Sequence, residues 1–155
     1  MRPNPGSAIL GGFVGTAVMT VMLYMLAPLV MSEPPGLATM IDQASYWLPA
    51  MLLHFVNGSI TLPLIYVYLV SRVLPGQPWL RGALWGLILW GLAELLVMPL
   101  MGVGPFSDEA GGVVIVVTAI VLLAGHLAYG TLLGWFAGGA RARRRGIAEA
   151  TRLAA

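Results

Sequence analysis

Residues 112–138 read GVVIVVTAIVLLAGHLAYGTLLGWFAG, a stretch without a single aspartate, glutamate, lysine or arginine. An α-helix rises about 1.5 Å per residue, so about 20 apolar residues cross the roughly 30 Å hydrocarbon layer of a membrane. A strand of a membrane barrel would need a much shorter segment in which polar and apolar residues alternate. The stretch therefore predicts a transmembrane α-helix and an all-α fold.

Three further apolar runs have the same character, at residues 8–31, 47–70 and 79–101. Of the 155 residues, 59% are hydrophobic and 9% are charged, which excludes an ordinary soluble domain. We expect a four-transmembrane-helix bundle over residues 1–140, followed by a basic cytoplasmic tail at residues 141–155. The sequence contains no cysteine, so disulfides and thiolate-held zinc or iron–sulfur centres are excluded.

All eight basic residues are arginines, and they fall on one side of the predicted membrane. They lie before the first run, between the second and third runs, and after the fourth: Arg2, Arg72, Arg81, Arg141, Arg143, Arg144, Arg145 and Arg152. Because positively charged loops stay in the cytoplasm, both termini are predicted to be cytoplasmic. Topology alone accounts for the arginines after residue 140, so we expect contact with the lipid bilayer and no nucleic-acid partner.

The two halves of the chain resemble each other. GGFVG at residues 11–15 is matched by GALWG at residues 82–86, and HFVNG at residues 54–58 by HLAYG at residues 126–130. Both predicted hairpins start in the cytoplasm, so a pseudo-two-fold axis along the membrane normal would relate them. We therefore expect two duplicated helical hairpins, although glycine-rich membrane helices also resemble one another by composition alone.

Small residues are spaced for close helix packing. Three glycine pairs stand four residues apart on one helix face: Gly11 and Gly15, Gly82 and Gly86, and Gly130 and Gly134. Lipid gives helices no hydrophobic reason to associate, so these pairs are expected to let helix backbones touch inside the bundle. Pro63 has no N–H, so we expect a kink in the second helix and a freed carbonyl at Ser59.

Three ionisable residues fall within the predicted spans: His54, Glu94 and His126. Such residues are costly in lipid, usually face the bundle interior and often mark a functional site. Measured from Arg72 and Arg144, the two histidines have the same depth, in the outer half of the membrane. Glu94 precedes the outer end of the third run by about two turns and is expected near the same level.

Haem b is one cofactor that suits this arrangement, because two imidazoles from different helices can supply both axial ligands. Gly58 and Gly130, one turn after His54 and His126, would then leave room for the flat macrocycle. The outward loops contain no lysine or arginine to pair with the haem propionates, which counts against this interpretation.

A metal or proton site is a second interpretation, with His54, His126 and Glu94 as ligands or relay groups. Methionines near the outer ends of the runs favour copper as the metal at such a site, because thioethers bind Cu(I). In a third interpretation, each histidine forms a hydrogen bond with a neighbouring helix carbonyl or with Glu94 and only sets the helix register.

Four motifs resemble those of an uncharacterised bacterial family of four-span membrane proteins, described only as a domain of unknown function. They are HFVNG at residues 54–58, LPG at residues 74–76, MPLMGVGPF at residues 98–106 and HLAYGTLLG at residues 126–134. The resemblance implies a bacterial inner-membrane protein with His54 and His126 among its motif positions. It implies no activity or cofactor, and Glu94 lies outside its pattern.

The sequence contains no recognisable arrangement for nucleophilic catalysis and no phosphate-binding glycine loop. Because few loop residues are polar, we expect a non-enzymatic subunit or accessory factor of a larger membrane complex. A bundle of this size is small for a transporter by itself, so a homo-oligomer or other membrane subunits are the expected partners.

Overall fold

The computed structural model describes residues 3–26, 48–49, 51–100 and 112–153. It contains four helices that are long and apolar enough to cross a membrane, and no strand within those residues. Helix α1 spans Pro5–Leu26, α2 spans Met51–Arg72, α3 spans Pro78–Val97, and α4 spans Gly112–Leu153. The predicted all-α class, with four helices long and apolar enough to span a membrane, is therefore confirmed.

Helix α4 extends beyond the fourth predicted run and continues as helix through most of the predicted tail. A short helical segment, Met98–Leu100, follows α3 and lies within the third predicted run. Residues 27–31 of the first predicted run, residues 101–106 of the third motif and the loops predicted opposite the arginines lie outside the described residues.

Local sequence sets the helix ends near the arginines. The Asn4 side chain accepts a hydrogen bond from the Gly6 backbone N–H at 3.0 Å, and Pro5 takes the first helical position of α1. Between α2 and α3 the chain turns at Gly76, whose φ of 96° is accessible to glycine without strain. Pro78 then begins α3, so the LPG motif is a turn that reverses the chain direction.

Helix α4 is the centre of the bundle and packs along both α1 and α3, while α2 packs mainly on α1. Among the described residues, α2 and α3 make few contacts, chiefly at the end that carries Arg72 and Arg81, which we call the arginine end. A strict two-fold would make the contact between α2 and α3 as close as that between α1 and α4. The predicted duplication therefore stays a prediction.

The closest helix contact joins α3 to α4 through the predicted glycine pairs. A Cβ atom added to Gly82 would overlap the carbonyl oxygen of Gly130, and one added to Gly130 would overlap that of Gly82. Gly86 packs in the same way on the carbonyl oxygen of His126. The two backbones touch along this seam, which any larger residue would force apart.

Helix α1 uses glycines on two of its faces. Gly11 and Gly15 face α4, where Gly15 leaves room for Tyr129. Gly12 faces α2, where an added Cβ would overlap the ring of Pro63. The glycine pairs thus pack inside the bundle as expected, and many large apolar side chains lie on the outside. This distribution suits a bundle surrounded by lipid.

We expect Gly82→Ala to destabilise the bundle by about 1–3 kcal/mol, because the added methyl must push α3 away from the Gly130 carbonyl. Gly91→Ala in the same helix is the matched control, since no atom lies within 4 Å of a Cβ added there. That control is expected to be neutral or stabilising by about 0.5–1 kcal/mol. Thermal unfolding in detergent compares the two variants, and equal Tm values would contradict the seam.

Candidate intramembrane histidine site

A π-helical turn at Asn57–Thr61 interrupts α2. Within it the N–H of Leu62 donates to the carbonyl of Asn57, five residues back, and not to that of Gly58. Pro63, which would be the next donor in this spacing, has no N–H. The Gly58 carbonyl is therefore left without a donor from its own helix. The prediction of a freed carbonyl at Ser59 assumed α-helical spacing, and the π turn is the reason that the Gly58 carbonyl lacks a donor.

The buried hydroxyl of Tyr129 on α4 donates to this Gly58 carbonyl oxygen at 2.8 Å. A buried carbonyl without a partner costs about 1–3 kcal/mol, so the bond satisfies the carbonyl and connects α4 to α2. Gly58 follows His54, and Tyr129 follows His126, by about one helical turn in each case. The bond therefore sets the two histidine-bearing turns side by side.

Both histidines line one cavity of about 390 Å³, a volume typical of small-molecule sites. The cavity has walls from all four helices and lies away from the arginine end. Its polar and sulfur-containing wall residues are Thr16, Met19, His54, Asn57, His126 and Tyr129. The remaining wall residues are leucine, valine, alanine and glycine. The structure thus brings the two predicted histidines together in a mainly apolar pocket.

Hydrogen bonds assign the tautomer of each imidazole. The Thr20 hydroxyl donates its only proton to the Thr16 carbonyl at 2.8 Å, so it accepts from His54 Nε2, which lies 3.3 Å away. His54 thus has its lone pair on Nδ1. His126 Nδ1 lies 2.8 Å from the Leu122 carbonyl and donates to it, which leaves a lone pair on Nε2. When both rings are neutral, each offers one basic nitrogen.

Met19 is a cavity residue that sequence reasoning missed. Its side chain lies over Gly125, the residue before His126. The next residue of α1, Thr20, is the hydrogen-bond partner of His54. Met19 therefore lines the same cavity as both histidines. Gly125 has no side chain and so leaves space for Met19. The sequence indicates this contact only once α1 and α4 are known to pack together.

Glu94 is buried, but it is not a wall residue of the histidine cavity. Because Gly86 packs at His126, Glu94 lies about two turns further along α3 than that level. Within the described part of the chain, no three histidine, aspartate or glutamate residues form a group that could hold a metal ion. Glu94 is therefore not part of the cavity wall, and its role as a ligand with the histidines stays a prediction, whereas Met19 is a potential sulfur ligand in the wall.

Gly58 and Gly130 both have close helix contacts. Gly58 packs against the side chain of Thr16, and Gly130 packs against Gly82. Gly58 also borders the cavity, whereas Gly130 is not part of its wall. Helix packing is thus a sufficient reason for both glycines, and their place beside a haem stays a prediction.

The fold and the site define a protein with four candidate membrane helices and a two-histidine cavity between them. The chain belongs to a family of unknown function (DUF6789), whose sequence profile matches residues 3–147. The resemblance to a family of unknown function is thereby confirmed, and the match spans all four helices. No curated protein and no solved structure matches the chain.

We expect Tyr129→Phe to cost about 1–3 kcal/mol of stability, because the Gly58 carbonyl would stay buried without a donor. Tyr68→Phe is the matched control, since the Tyr68 side chain is exposed at the far end of α2. Unfolding in detergent, followed by circular dichroism, gives both free energies. If the two variants lose the same stability, the Gly58 carbonyl does not depend on Tyr129.

The two histidines are the only ones in the chain, so ¹⁵N NMR of histidine-labelled protein in nanodiscs can resolve both rings. We expect opposite neutral tautomers, with the proton on Nε2 of His54 and on Nδ1 of His126. Thr20→Val should remove the preference at His54 and leave His126 unchanged, because only His54 bonds to Thr20. Two identical tautomers would show that the hydrogen-bond assignment is wrong.

Proposed function

We propose that this protein is a non-enzymatic accessory subunit of a larger assembly in the bacterial cytoplasmic membrane, and that it holds a monovalent copper ion beside His54, His126 and Met19. The observation that carries the proposal is that both imidazoles line one cavity and that each has one nitrogen, Nδ1 of His54 and Nε2 of His126, that takes no part in its hydrogen bond to Thr20 or Leu122.

The proposed orientation has both termini in the cytoplasm. The Asn4 backbone N–H donates to the Ala137 carbonyl at 3.1 Å, and Arg81 donates to the Ser71 carbonyl at 3.1 Å. These bonds put the starts of α1 and α3, the end of α2 and the later part of α4 at the arginine end. Positive charge is retained on the cytoplasmic side, so this end is assigned to the cytoplasm.

The choice of Cu(I) follows from the donors. Imidazole and thioether groups are neutral ligands that bind this soft ion, whereas Mg²⁺ and Ca²⁺ require oxygen ligands. The described cavity wall contains no carboxylate, so a divalent ion would bring two uncompensated charges into a low-dielectric region. A monovalent ion brings one charge and needs few ligands.

The accessory role follows from the open side of the site. Helices α2 and α3 make few contacts beside the cavity, and Leu92, Leu96 and Val97 of α3 have exposed side chains there. A cavity of about 390 Å³ is far larger than one ion, so an ion in it keeps an exchangeable position. A second copy of this chain or another membrane subunit would cover that side and exchange the ion, with lipid covering the rest of the bundle.

Haem b is the second candidate, because both imidazoles border the same cavity. Ligation through His54 Nε2 would require this ring to give up its bond to Thr20. A reducible Soret absorption band in protein expressed with ample haem, and its loss in His54→Ala and His126→Ala, would establish haem and replace the copper proposal.

We expect the purified protein to bind one equivalent of Cu(I) in an anaerobic titration against a chromophoric chelator. His54→Ala and His126→Ala should each lower the affinity at least about tenfold, as losses at metal sites do. Met19→Leu should also weaken binding. Met25→Leu is the matched control, since Met25 lies on the same helix, is 74% exposed and is not a wall residue.

Thermal unfolding of each variant without copper shows whether the fold survives the substitution. Thr20→Val keeps the size of the side chain and removes the hydroxyl that bonds to His54 and to the Thr16 carbonyl, so it tests the site even if an alanine variant unfolds. Failure of the wild-type protein to bind Cu(I) would contradict the proposal. So would a Cu(I) affinity that is the same in the Met19, His54 and His126 variants as in the Met25 control.

A further inference from the structure

A second cavity, of about 180 Å³, lies between α2, α3 and α4 at the arginine end of the bundle. Its charged wall residue is Arg81, and its neighbours include Tyr66, Ser71, Pro78 and Gly138. None of these residues lines the histidine cavity. The two cavities therefore belong to separate parts of the protein.

The Arg81 guanidinium, at the wall of this cavity, has hydrogen-bonding capacity that the protein does not use. One of its terminal nitrogens donates to the Ser71 carbonyl oxygen at 3.1 Å. Its Nε is buried and donates to no acceptor among the described residues. A guanidinium keeps its charge in proteins and has five N–H donors, so Arg81 has both charge and hydrogen-bonding capacity left for a ligand.

No carboxylate among the described side chains balances this charge. Glu94, on the same helix, lies 13 residues further along, or about 20 Å. The hydroxyls of Ser71 and Tyr66 each donate their proton to a backbone carbonyl, so neither has a proton left to donate to a ligand. A partly buried cation without an anion is unfavourable, and the cavity beside it has room for one.

We infer that this cavity binds the phosphate group of an anionic phospholipid. A volume of 180 Å³ corresponds to about six water molecules at roughly 30 Å³ each, which accommodates a phosphate group. The planar guanidinium matches phosphate oxygens in a two-bond geometry. Lipid headgroups lie where membrane helices end, and basic pockets between helices at the cytoplasmic face bind them. The exposed Arg72 adds positive charge at the same end.

Native mass spectrometry of the full chain, released from detergent and titrated with phosphatidylglycerol, measures the first binding step. We expect one retained phosphatidylglycerol and weaker retention of zwitterionic phosphatidylcholine. Arg81→Gln should lower the phosphatidylglycerol affinity at least about fivefold, in line with the value of one arginine near a charged surface. Arg72→Gln, the matched control, should change it less than about twofold because an exposed charge is screened by salt.

Arg81→Lys separates loss of the ligand from loss of the fold, because it keeps the charge and removes the planar fork. Its affinity should lie between those of the wild type and Arg81→Gln. Equal losses in the Arg72 and Arg81 variants would assign the effect to general surface charge and overturn the inference. Binding of inorganic phosphate that prevents lipid retention would assign the cavity to a free anion and also overturn the lipid source. Neither result depends on copper binding.

Discussion

The hydrogen bond from Tyr129 to the Gly58 carbonyl is the contact on which the histidine site depends. A π turn and Pro63 together deprive this carbonyl of a donor within α2. A buried backbone group at membrane depth needs a partner from the protein, and the Tyr129 hydroxyl provides it at 2.8 Å. Because each partner lies about one turn from a histidine, the bond that satisfies the carbonyl also fixes the relative depth of His54 and His126.

Close packing at glycines brings the helices near enough for the hydrogen bond from Tyr129 to Gly58 to form. Gly82 and Gly86 let α3 lie directly on α4, and Gly15 lets α1 approach Tyr129. The same packing is lacking between α2 and α3, and the histidine cavity borders both helices there. The close packing of α1 and α3 on α4 holds the imidazoles in place. The open side between α2 and α3 gives a ligand access to them.

The length and composition of the apolar runs were enough to predict four helices, because crossing a membrane constrains each helix locally. The glycine pairs and both histidines were also recognisable as small and ionisable residues in unusual places. The π turn at Asn57–Thr61 was not, since its five-residue spacing matters only once Tyr129 is present as a donor. Met19 was missed because the space that Gly125 leaves for it is recognisable only once α1 and α4 are known to pack together. Whether Glu94 lines the cavity could not be decided from the sequence, because counting from a run end does not fix the register between paired helices.

A double-mutant cycle with Pro63→Ala and Tyr129→Phe measures whether the Tyr129 hydroxyl replaces the donor that Pro63 lacks. Alanine at position 63 supplies an N–H five residues after Gly58, so the tyrosine hydroxyl should then become dispensable. Packing losses at position 63 occur in both arms and cancel. Unfolding free energies in detergent should show a coupling of about 1 kcal/mol or more, as expected for residues that share a hydrogen bond. Additive effects within about 0.5 kcal/mol, as at independent sites, would show that the Tyr129 hydroxyl does not replace the missing N–H.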